Sequence, residues 1–301
     1  MATLNNKDEV LIVGQYEDIL TCPVCNCQDR VIFIKHKNYQ LLKCKMCKLI
    51  YQTPRKRNEY LDNQYINNVS SRADYYESTF IFDKLTFRKR LLKVLKLINI
   101  NPEGKKILDI GCNIGSFLSA AKELGFSPTG IEPNPAAAQY CKERNYDIIN
   151  SFFDPNVLTG KEGFFDIIHM GDITEHVARP LELIKSVKTF TKPGGYMLIS
   201  TPNIDSSIAR MFQIKPNEHI FYFDKESLEY LILNAGLFHI KTYITSRKRD
   251  IKSMKYSTSF QNVRNKFILN CVESFHVGEI VTEILKYVAN DEILLIAKNP
   301  D

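Results

Sequence analysis

The sequence lacks several features that would place it in a familiar class. No apolar run approaches the roughly 18 residues of a membrane-spanning helix, and no basic leader with an apolar core opens the chain. Neither sign of charge dominates, because 40 Lys and Arg residues stand against 34 Asp and Glu, and the net charge of +6 is spread along 301 residues. Local basic clusters occur at residues 88–90 and 247–249. Such clusters are usually solvated helix faces, so nucleic acid is not the expected partner. We expect a cytoplasmic, globular protein.

Two nucleotide-binding patterns are also missing. The glycine loop at residues 111–115 is not the Gly-x-Gly-x-x-Gly of a pyrophosphate site, and no Gly-Lys-Ser/Thr follows it as in a P-loop. The chain has instead a strand-type run at 107–110, the glycine turn, a helical pattern at 116–124 and a second strand that ends at Glu132. Glycines let the backbone approach a ligand, and an acid after the second strand accepts hydrogen bonds from ribose hydroxyls. This βαβ unit predicts an adenosine site.

The residues around the glycine turn favour a cationic ligand. Asp109 precedes the first glycine, where a carboxylate would repel a pyrophosphate but suit the sulfonium and ammonium of S-adenosylmethionine (SAM). The stretch resembles motif I of class I SAM-dependent methyltransferases, with Asn113 where a glycine is commoner, and Asn tolerates positive φ. The resemblance implies that SAM is the cofactor and that it is bound by a set of loop and strand-tip residues: Asp109, Gly111, Cys112, Asn113, Gly115, Glu132, Pro133, Gly171 and Asp172.

The rest of the chain alternates between strand and helix patterns. Strands are predicted at 165–170, 196–200, 238–245 and 292–297, helices at 135–145, 181–190 and 226–235, and a turn at 192–195. This alternation predicts an α/β fold with a Rossmann-like, mostly parallel sheet of seven strands flanked by helices. We expect three parts: a zinc-ribbon module at 1–52, a linker, aromatic lid and lead-in helix (85–98) at 53–104, and a methyltransferase core at 105–301 with an insertion at 246–290.

Four cysteines near the start predict a metal site. Cys22 and Cys25 form one Cys-x-x-Cys pair, and Cys44 and Cys47 form another after 18 intervening residues. This is the spacing of a zinc ribbon, in which each pair is a tight turn and the gap holds a hairpin. Four thiolates leave no coordination position for substrate, so the Zn²⁺ is expected to be structural. Cys27 is an alternative to Cys25 as the second ligand.

Two histidines lie at predicted strand tips. The segment from Gly171 to Pro180 contains Glu175 and His176 and resembles the Glu-His-Val-x-x-Pro segment after strand four of small-molecule methyltransferases. His219 lies in a segment that resembles one before strand six in the same enzymes. Methyl transfer to oxygen, or to a carbon next to a carbonyl, needs removal of a proton. His176 is the first candidate for the general base and His219 the second, with Glu175 beside them; either imidazole could instead only hydrogen-bond backbone or substrate.

The same tip could hold a metal. Asp172, Glu175 and His176 fall at i, i+3 and i+4, and the segment resembles the one in ubiquinone-biosynthesis O-methyltransferases, where acids and a histidine at matching positions bind a divalent ion. Mg²⁺ prefers such oxygen ligands and completes its octahedron with water and substrate. A catalytic Mg²⁺ at these three residues is therefore an alternative to a base at His176.

The sequence is compatible with several functions. The ribbon and the Glu-His tip resemble methyltransferases of sugar and surface-polysaccharide pathways, so O-methylation of a sugar is the first hypothesis, with C- or N-methylation of a sugar beside it. A quinol O-methyltransferase, an RNA methyltransferase and a non-catalytic zinc-containing binding module are the alternatives. The RNA enzyme would need a continuous basic face, whereas the Lys and Arg clusters are interleaved with acids. A homodimer is one option for the oligomeric state.

Overall fold

The structure is a computed structural model that describes residues 14–57, 60–61, 66, 73–216, 218–246 and 290–301. Almost the whole predicted insertion at 246–290 lies outside the described residues. The elements are, in chain order, β1 (Tyr16–Glu17), β2 (Arg30–Lys35), β3 (Gln40–Cys44), β4 (Ile50–Thr53), β5 (Arg55–Lys56), α1 (Ala73–Ile98), β6 (Lys106–Ile110), α2 (Ser116–Glu123), β7 (Ser127–Ile131), α3 (Pro135–Glu143), β8 (Asp147–Ile149), a 3₁₀ turn (Pro155–Leu158), β9 (Phe165–Gly171), α4 (Pro180–Lys188), β10 (Thr191–Pro202), α5 (Ser207–Phe212), β11 (Phe221–Tyr222), α6 (Lys225–Asn234), β12 (Phe238–Thr245) and β13 (Glu292–Lys298).

The larger sheet has seven strands in the order β12-β13-β10-β9-β6-β7-β8. β13 runs antiparallel to both of its neighbours, and the other pairs are parallel. Consecutive residues of β6 face opposite sides of the sheet. Leu108 and Ile110 accordingly belong to one buried cluster, and Ile107 belongs to another. The predicted fold class is confirmed, and the carboxyl ends of β6, β7, β9 and β10 meet at one edge of the sheet.

A second sheet joins the N-terminal module to the core. Its order is β11-β4-β3-β2, so its outer strand, β11, comes from the core between β10 and α6. Phe221 pairs with Tyr51 and Tyr222 with Ile50. β5, just after the predicted end of the module at residue 52, pairs with β1. The cysteine-bearing module therefore shares a sheet with the core.

Two local predictions differ from the structure. Helix α1 begins at Ala73, well before the predicted start at Leu85, because tertiary packing overrides the weak helical preference of aromatic residues. Phe80 packs against the small cluster formed by Ile114 of the cofactor loop and Ala137, and this packing supports the first part of the helix. The predicted turn at 192–195 lies within β10, where the register against β9 shifts between Thr191 and Tyr196, so its glycines form an irregularity in a continuous strand.

Asp166, near the start of β9, allows a prediction about stability. Its Oδ1 accepts a hydrogen bond from Lys192 Nζ at 2.8 Å and its Oδ2 one from Lys106 N at 2.9 Å. Burial alone raises the pKa of this carboxyl, but these bonds and the charge of Lys105 outweigh burial and hold the pKa below its ordinary value. A carboxyl group whose pKa is lowered by folding stabilises the folded protein at pH values above its ordinary pKa. This stabilisation is lost as the pH falls through the lowered pKa.

We expect Asp166→Asn to lower the free energy of unfolding by about 1.5–3 kcal/mol at pH 7, the range for hydrogen bonds to a charged group. The deficit should shrink as the pH falls through the ordinary pKa and then through the lowered one, because the carboxyl becomes protonated first in the unfolded and then in the folded protein. Urea unfolding of both proteins from pH 7 to pH 3 measures the difference. A deficit that stayed constant over this range would show that the charge of Asp166 is not the cause.

Candidate active site

The glycine loop after β6 has the backbone conformation that its residues predict. Gly111, Asn113 and Gly115 have φ values of 71°, 48° and 82°, in the left-handed region that Gly and Asn tolerate. The amides of Gly111 and Cys112 both donate to the carbonyl of Ile131, at 2.8 and 3.1 Å. The loop is thereby fastened to the end of β7. A Cβ on Gly111 would lie 2.9 Å from Cδ1 of Ile173, so this glycine also lets the segment after β9 pack onto the loop.

Glu132 organises the adenosine side of the site. Its side chain is completely buried, and its two carboxylate oxygens accept hydrogen bonds from the amides of Asn113 and Asn134, each at 2.8 Å. Asn134 in turn caps α3, because its Oδ1 accepts from Ala137 N at 3.0 Å. Asn150 Nδ2 donates to the carbonyls of Glu132 and Pro133 at 2.8 and 3.2 Å. One carboxylate therefore ties the glycine loop to the start of α3.

Asn134 and Asn150 are not among the site residues predicted from the sequence. Asn134 had a recognisable signal, since an Asn directly before Pro135 is a typical helix cap followed by proline in the first turn. Asn150 follows the short strand β8, which no pattern in the sequence predicted. Its hydrogen bonds to the β7 tip depend on the pairing of β7 with β8, a tertiary feature.

Asp109 lies in the interior rather than at the strand tip. Its side chain is almost fully buried, and its Oδ1 is 2.7 Å from Nδ1 of His169 on the neighbouring strand β9. The His169 ring stacks on Phe117, with centroids 3.9 Å apart. Burial raises the pKa of the Asp109 carboxyl, and the nearby His169 acts in the opposite direction. The Asp109 carboxylate therefore lies within β6, before the glycine loop, and is directed at the His169 imidazole.

The tip of β9 brings a carboxylate and two imidazoles together. Glu175 is buried, and its Oε2 accepts a hydrogen bond from Thr201 Oγ1 at 3.0 Å. His176 Nε2 lies 4.0 Å from Glu175 Oε1, and the rings of His176 and His219 are 4.8 Å apart in an edge-to-face arrangement. Nδ1 of His176 is 2.8 Å from the Glu218 carbonyl, and Nδ1 of His219 is 2.9 Å from the Gln213 carbonyl. The two histidines predicted from separate segments are therefore neighbours.

Burial sets the protonation of this cluster. It raises the pKa of the Glu175 carboxyl well above its ordinary value, and the charge of Asp172 acts in the same direction. Burial lowers the pKa of the His176 imidazole, against the raising influence of Glu218. The environment thus favours a neutral imidazole, the form that can accept a proton or bind a cation.

Gly171 and Asp172 lie between this cluster and the cofactor loop. A Cβ on Gly171 would be 2.8 Å from Cε1 of His169, so a larger residue would push against the buried Asp109–His169 pair. Asp172 has a φ of 55°, and its amide donates to Ser200 O at 2.9 Å. This turn directs the chain from the end of β9 into the segment that carries Glu175.

The segment with His219 is held by backbone hydrogen bonds from two sides. The amides of Ile220 and Phe221 both donate to the carbonyl of Glu175, at 2.9 and 3.2 Å. On the other side, Gln52 N donates to Ile220 O at 3.0 Å, beside the pairing of β4 with β11. The position of His219 therefore depends on the N-terminal module as well as on the core.

The four predicted zinc ligands lie together in that module. Their four sulfurs, from Cys22, Cys25, Cys44 and Cys47, all lie within 4.8 Å of one another. The sulfurs of Cys22 and Cys47 are 3.4 Å apart, and those of Cys25 and Cys44 are 3.5 Å apart. Cys27 Sγ faces the carbonyl of Asp29 at 3.7 Å instead. Of the two alternatives for the second ligand, the structure brings Cys25 into the cluster. Cys112 and Cys141, by contrast, are buried thiols beside the cofactor loop.

The second candidate metal group differs from the predicted one. Among the described residues, the ligand atoms that meet at the β9 tip are those of Glu175, His176 and His219. Asp172, predicted as a ligand from its spacing, is not a member of this group. The i, i+3, i+4 spacing assumes a regular helical turn, whereas the positive φ of Asp172 places it in a tight turn at the end of β9.

The fold and the site together define a class of protein. A mostly parallel sheet of seven strands, a glycine loop after β6 and an acid after β7 agree with the features by which the sequence resembled class I methyltransferases. A family model described as a methyltransferase domain matches residues 82–241, just over half of the chain. The chain belongs to this family, and the family predicted from the loop and strand tips is confirmed.

Individual relatives match this chain at about 30% identity and over part of their length. A ubiquinone biosynthesis O-methyltransferase of Coxiella burnetii is 30% identical over 144 residues, which are 43% of this chain and 61% of that protein. The mitochondrial ubiquinone biosynthesis O-methyltransferase of Schizosaccharomyces pombe is 32% identical over 130 residues, 39% of this chain and 44% of that one. The chain thus spans less than two thirds of the length of these relatives.

Solved structures show the same fold at low identity. Phosphoethanolamine N-methyltransferase 2 of Haemonchus contortus, in complex with SAM, aligns with a TM-score of 0.52 at 17% identity, covering 84% of this chain and 63% of that chain. A SAM-dependent methyltransferase of Thermotoga maritima aligns with a TM-score of 0.50 at 15% identity, covering 80% and 99%. Across the described residues, no helix combines the length and apolar character needed to cross a membrane.

Proposed function

We propose that this chain is a SAM-dependent O-methyltransferase that methylates a hydroxyl group of a small molecule, with a sugar hydroxyl as the first acceptor class. The observation that carries the proposal is the buried cluster of Glu175, His176 and His219 next to the cofactor loop. Ile173 connects the two, because it precedes the cluster by two residues and contacts Gly111. A hydroxyl acceptor must lose a proton during transfer, and this cluster is where it would do so.

The loop residues fit the cofactor. Gly111, Asn113 and Gly115 take positive φ values in the loop after β6. Glu132, whose carboxylate accepts hydrogen bonds from two amides around this loop, follows β7 at the position that the family resemblance assigns to the ribose-binding acid. Pro133, Gly171 and Asp172 border the same strand tips. When bound, SAM supplies a sulfonium methyl group for in-line displacement. The residues of the chain bind the cofactor, align the acceptor oxygen and take up its proton.

We also propose that Cys22, Cys25, Cys44 and Cys47 hold a structural Zn²⁺. Tetrahedral zinc with Zn–S bonds of about 2.3 Å places sulfurs about 3.8 Å apart, and the four sulfurs here already lie within 4.8 Å of one another. Three of the four thiols are buried, so water is excluded from most of the site. Zinc would supply the stability of a module too small for a large core of its own.

The named relatives support a second acceptor class. They are ubiquinone biosynthesis O-methyltransferases, so a phenolic hydroxyl on a quinol precursor is the alternative substrate. Sugar and phenol acceptors share the requirement for proton removal at oxygen, and the cluster at the β9 tip serves either.

Transfer of labelled methyl from SAM to a panel of acceptors tests the proposal. The panel contains nucleotide sugars, sugar phosphates, catechols with and without an apolar tail, and total RNA. We expect label in a hydroxyl acceptor, and we expect His176→Ala to reduce kcat by about 100-fold or more, the usual contribution of positioned acid–base groups, without changing SAM affinity. His239, an exposed histidine of β12, provides the matched control, and His239→Ala should retain the full rate.

The outcomes separate the parts of the proposal. Label in the sugars supports the first class, and label in the catechols supports the second and overturns the first. Label only in RNA overturns the small-molecule assignment. Unchanged turnover in His176→Ala would contradict the role of the cluster, whichever acceptor is labelled.

A further inference from the structure

The cluster at the β9 tip has the arrangement of a metal site rather than of a single base with its partner. One ligand atom from each of Glu175, His176 and His219 lies within 4.8 Å of the other two. Each of the three side chains is held by a second contact that fixes its orientation. Thr201 donates to Glu175, and Nδ1 of each imidazole faces a backbone carbonyl, that of Glu218 for His176 and that of Gln213 for His219.

These contacts determine which atoms carry lone pairs. An imidazole that donates from Nδ1 to a carbonyl presents an unprotonated Nε2, the form in which histidine binds metals, and carbonyl acceptors of this kind are the usual second contact of metal-bound histidines. For His176, this Nε2 is directed to the Glu175 carboxylate at 4.0 Å. Lone pairs that approach one another across a buried site repel unless a proton or a metal cation lies between them.

A second observation also indicates a ligand. Glu175 is 1% exposed, and its Oε1 accepts no hydrogen bond from any residue that the structure describes. A buried carboxylate oxygen without a partner is costly, and this one lies 4.0 Å from Nε2 of His176. The other oxygen of the same carboxylate is satisfied by Thr201. The unsatisfied atom therefore faces the place where a cation would bind.

We propose that Glu175, His176 and His219 form a second metal site, which binds a divalent transition ion of the Zn²⁺ or Fe²⁺ kind. Two imidazoles and one carboxylate are a ligand set that such ions prefer, whereas Mg²⁺ selects oxygen ligands. The set differs from the Asp172, Glu175 and His176 expected from sequence spacing, because His219 from a distant segment replaces Asp172. Three protein ligands leave coordination positions open for an acceptor oxygen.

The consequence for catalysis rests on the proposed function. Glu175, His176 and His219 would hold such an ion, which would lower the pKa of a hydroxyl bound to it, and the proton would pass to water. The oxygen keeps the electron pair and forms the new bond to the methyl carbon, while the carbon–sulfur bond breaks and its pair stays on sulfur. The imidazoles then act as ligands, and the acceptor is positioned by the metal.

Cobalt binding to the full-length protein tests the site without any acceptor. Purified protein with its thiolate site filled by zinc is titrated with Co²⁺, and bound metal is counted after gel filtration. We expect one further equivalent, with weak visible absorption and without the strong near-ultraviolet bands of cobalt–thiolate bonds. Excess Mg²⁺ should not displace it.

Variants locate the additional equivalent. Glu175→Gln and His219→Gln should each lose it while retaining the thiolate-bound zinc and the SAM affinity of the wild type. His239→Gln, which changes an exposed imidazole 3.2 Å from the carboxylate of Glu229, is the matched control and should keep it.

Three results would overturn the inference: no second equivalent in the wild type, a second equivalent that survives both variants, or displacement by Mg²⁺. The wild-type titration decides the question even if a variant fails to fold. The titration contains no acceptor, so its result is independent of the methyl-transfer assay. Metal binding in a protein that transfers no methyl group would contradict the proposed function alone. Methyl transfer by a protein that binds no second metal would contradict this inference alone.

Discussion

Replacement of Cys44 by serine is expected to reduce methyl transfer by at least about 100-fold while SAM binding changes little. Cys44 is fully buried at the end of β3, and its sulfur is 3.5 Å from that of Cys25. Its loss removes one of four ligands from the proposed zinc site, and a module that depends on its metal unfolds without it. The effect on catalysis follows from how this module meets the core.

The ribbon sheet continues directly into the active-site segment. β4 pairs with β11, and the residues just before and within β11 donate two backbone hydrogen bonds to the carbonyl of Glu175. Arg55, at the end of the module, adds a hydrogen bond to the carbonyl of Ala178 at 3.0 Å. Unfolding the module releases the segment that carries His219, and a displacement of about 1 Å in a catalytic group can reduce the rate by about 100-fold.

The cofactor loop has different anchors. Its amides are bound to Ile131 at the end of β7 and to Glu132, so SAM affinity should survive the loss of the ribbon. Calorimetric titration with SAM and a methyl-transfer assay, run on the same preparation, measure the two effects separately. Cys27→Ser is the matched control, because its sulfur lies outside the four-cysteine cluster. Full activity in Cys44→Ser would show that the ribbon does not position the site.

Glu132→Ala is expected to weaken SAM binding by at least about 100-fold. The substitution leaves the amides of Asn113 and Asn134 without their acceptor inside the protein, and each buried, unsatisfied amide costs about 1–3 kcal/mol. The glycine loop loses its connection to α3 at the same time. In the described conformation the carboxylate is fully covered, so the variant acts through the shape of the loop as well as through any contact with ribose.

Glu132→Gln separates these contributions. Glutamine keeps one carbonyl oxygen for one of the two amides, so the loss of affinity should be intermediate between wild type and Glu132→Ala. Titration with SAM and with S-adenosylhomocysteine measures the affinities, and both ligands should lose equally because the reacting methyl group is remote from the ribose. Glu143→Gln, at the exposed end of α3, is the control for a lost charge. An unchanged dissociation constant in Glu132→Ala would remove Glu132 from the cofactor site.

The parts of the site that could be predicted are those built from neighbouring residues. The unit from β6 to β7 is contained in residues 106–131, and the positive φ values of Gly111, Asn113 and Gly115 follow from the residue types alone. The two Cys-x-x-Cys pairs likewise carry their ligand geometry in their own turns. Local preferences determine such units because few distant contacts are needed to form them.

The pairings across the sheet could not be read in this way. Asp109 and His169 are neighbours because β6 and β9 align in one particular register, and a shift of one residue would place the histidine on the other face. The first part of α1 is supported by packing of Phe80 against the cluster of Ile114 and Ala137, which no helical periodicity signals.

The sequence by itself thus determined the family, the cofactor loop and the four clustered cysteines, because each depends on residue types at short spacing. Only the tertiary structure decided that Glu175 and His176 meet His219, that Asp172 lies outside this group, and that the ribbon shares a sheet with the segment holding His219. These arrangements join residues more than 40 positions apart. They arise from strand pairing and burial, whose free energy depends on the whole fold.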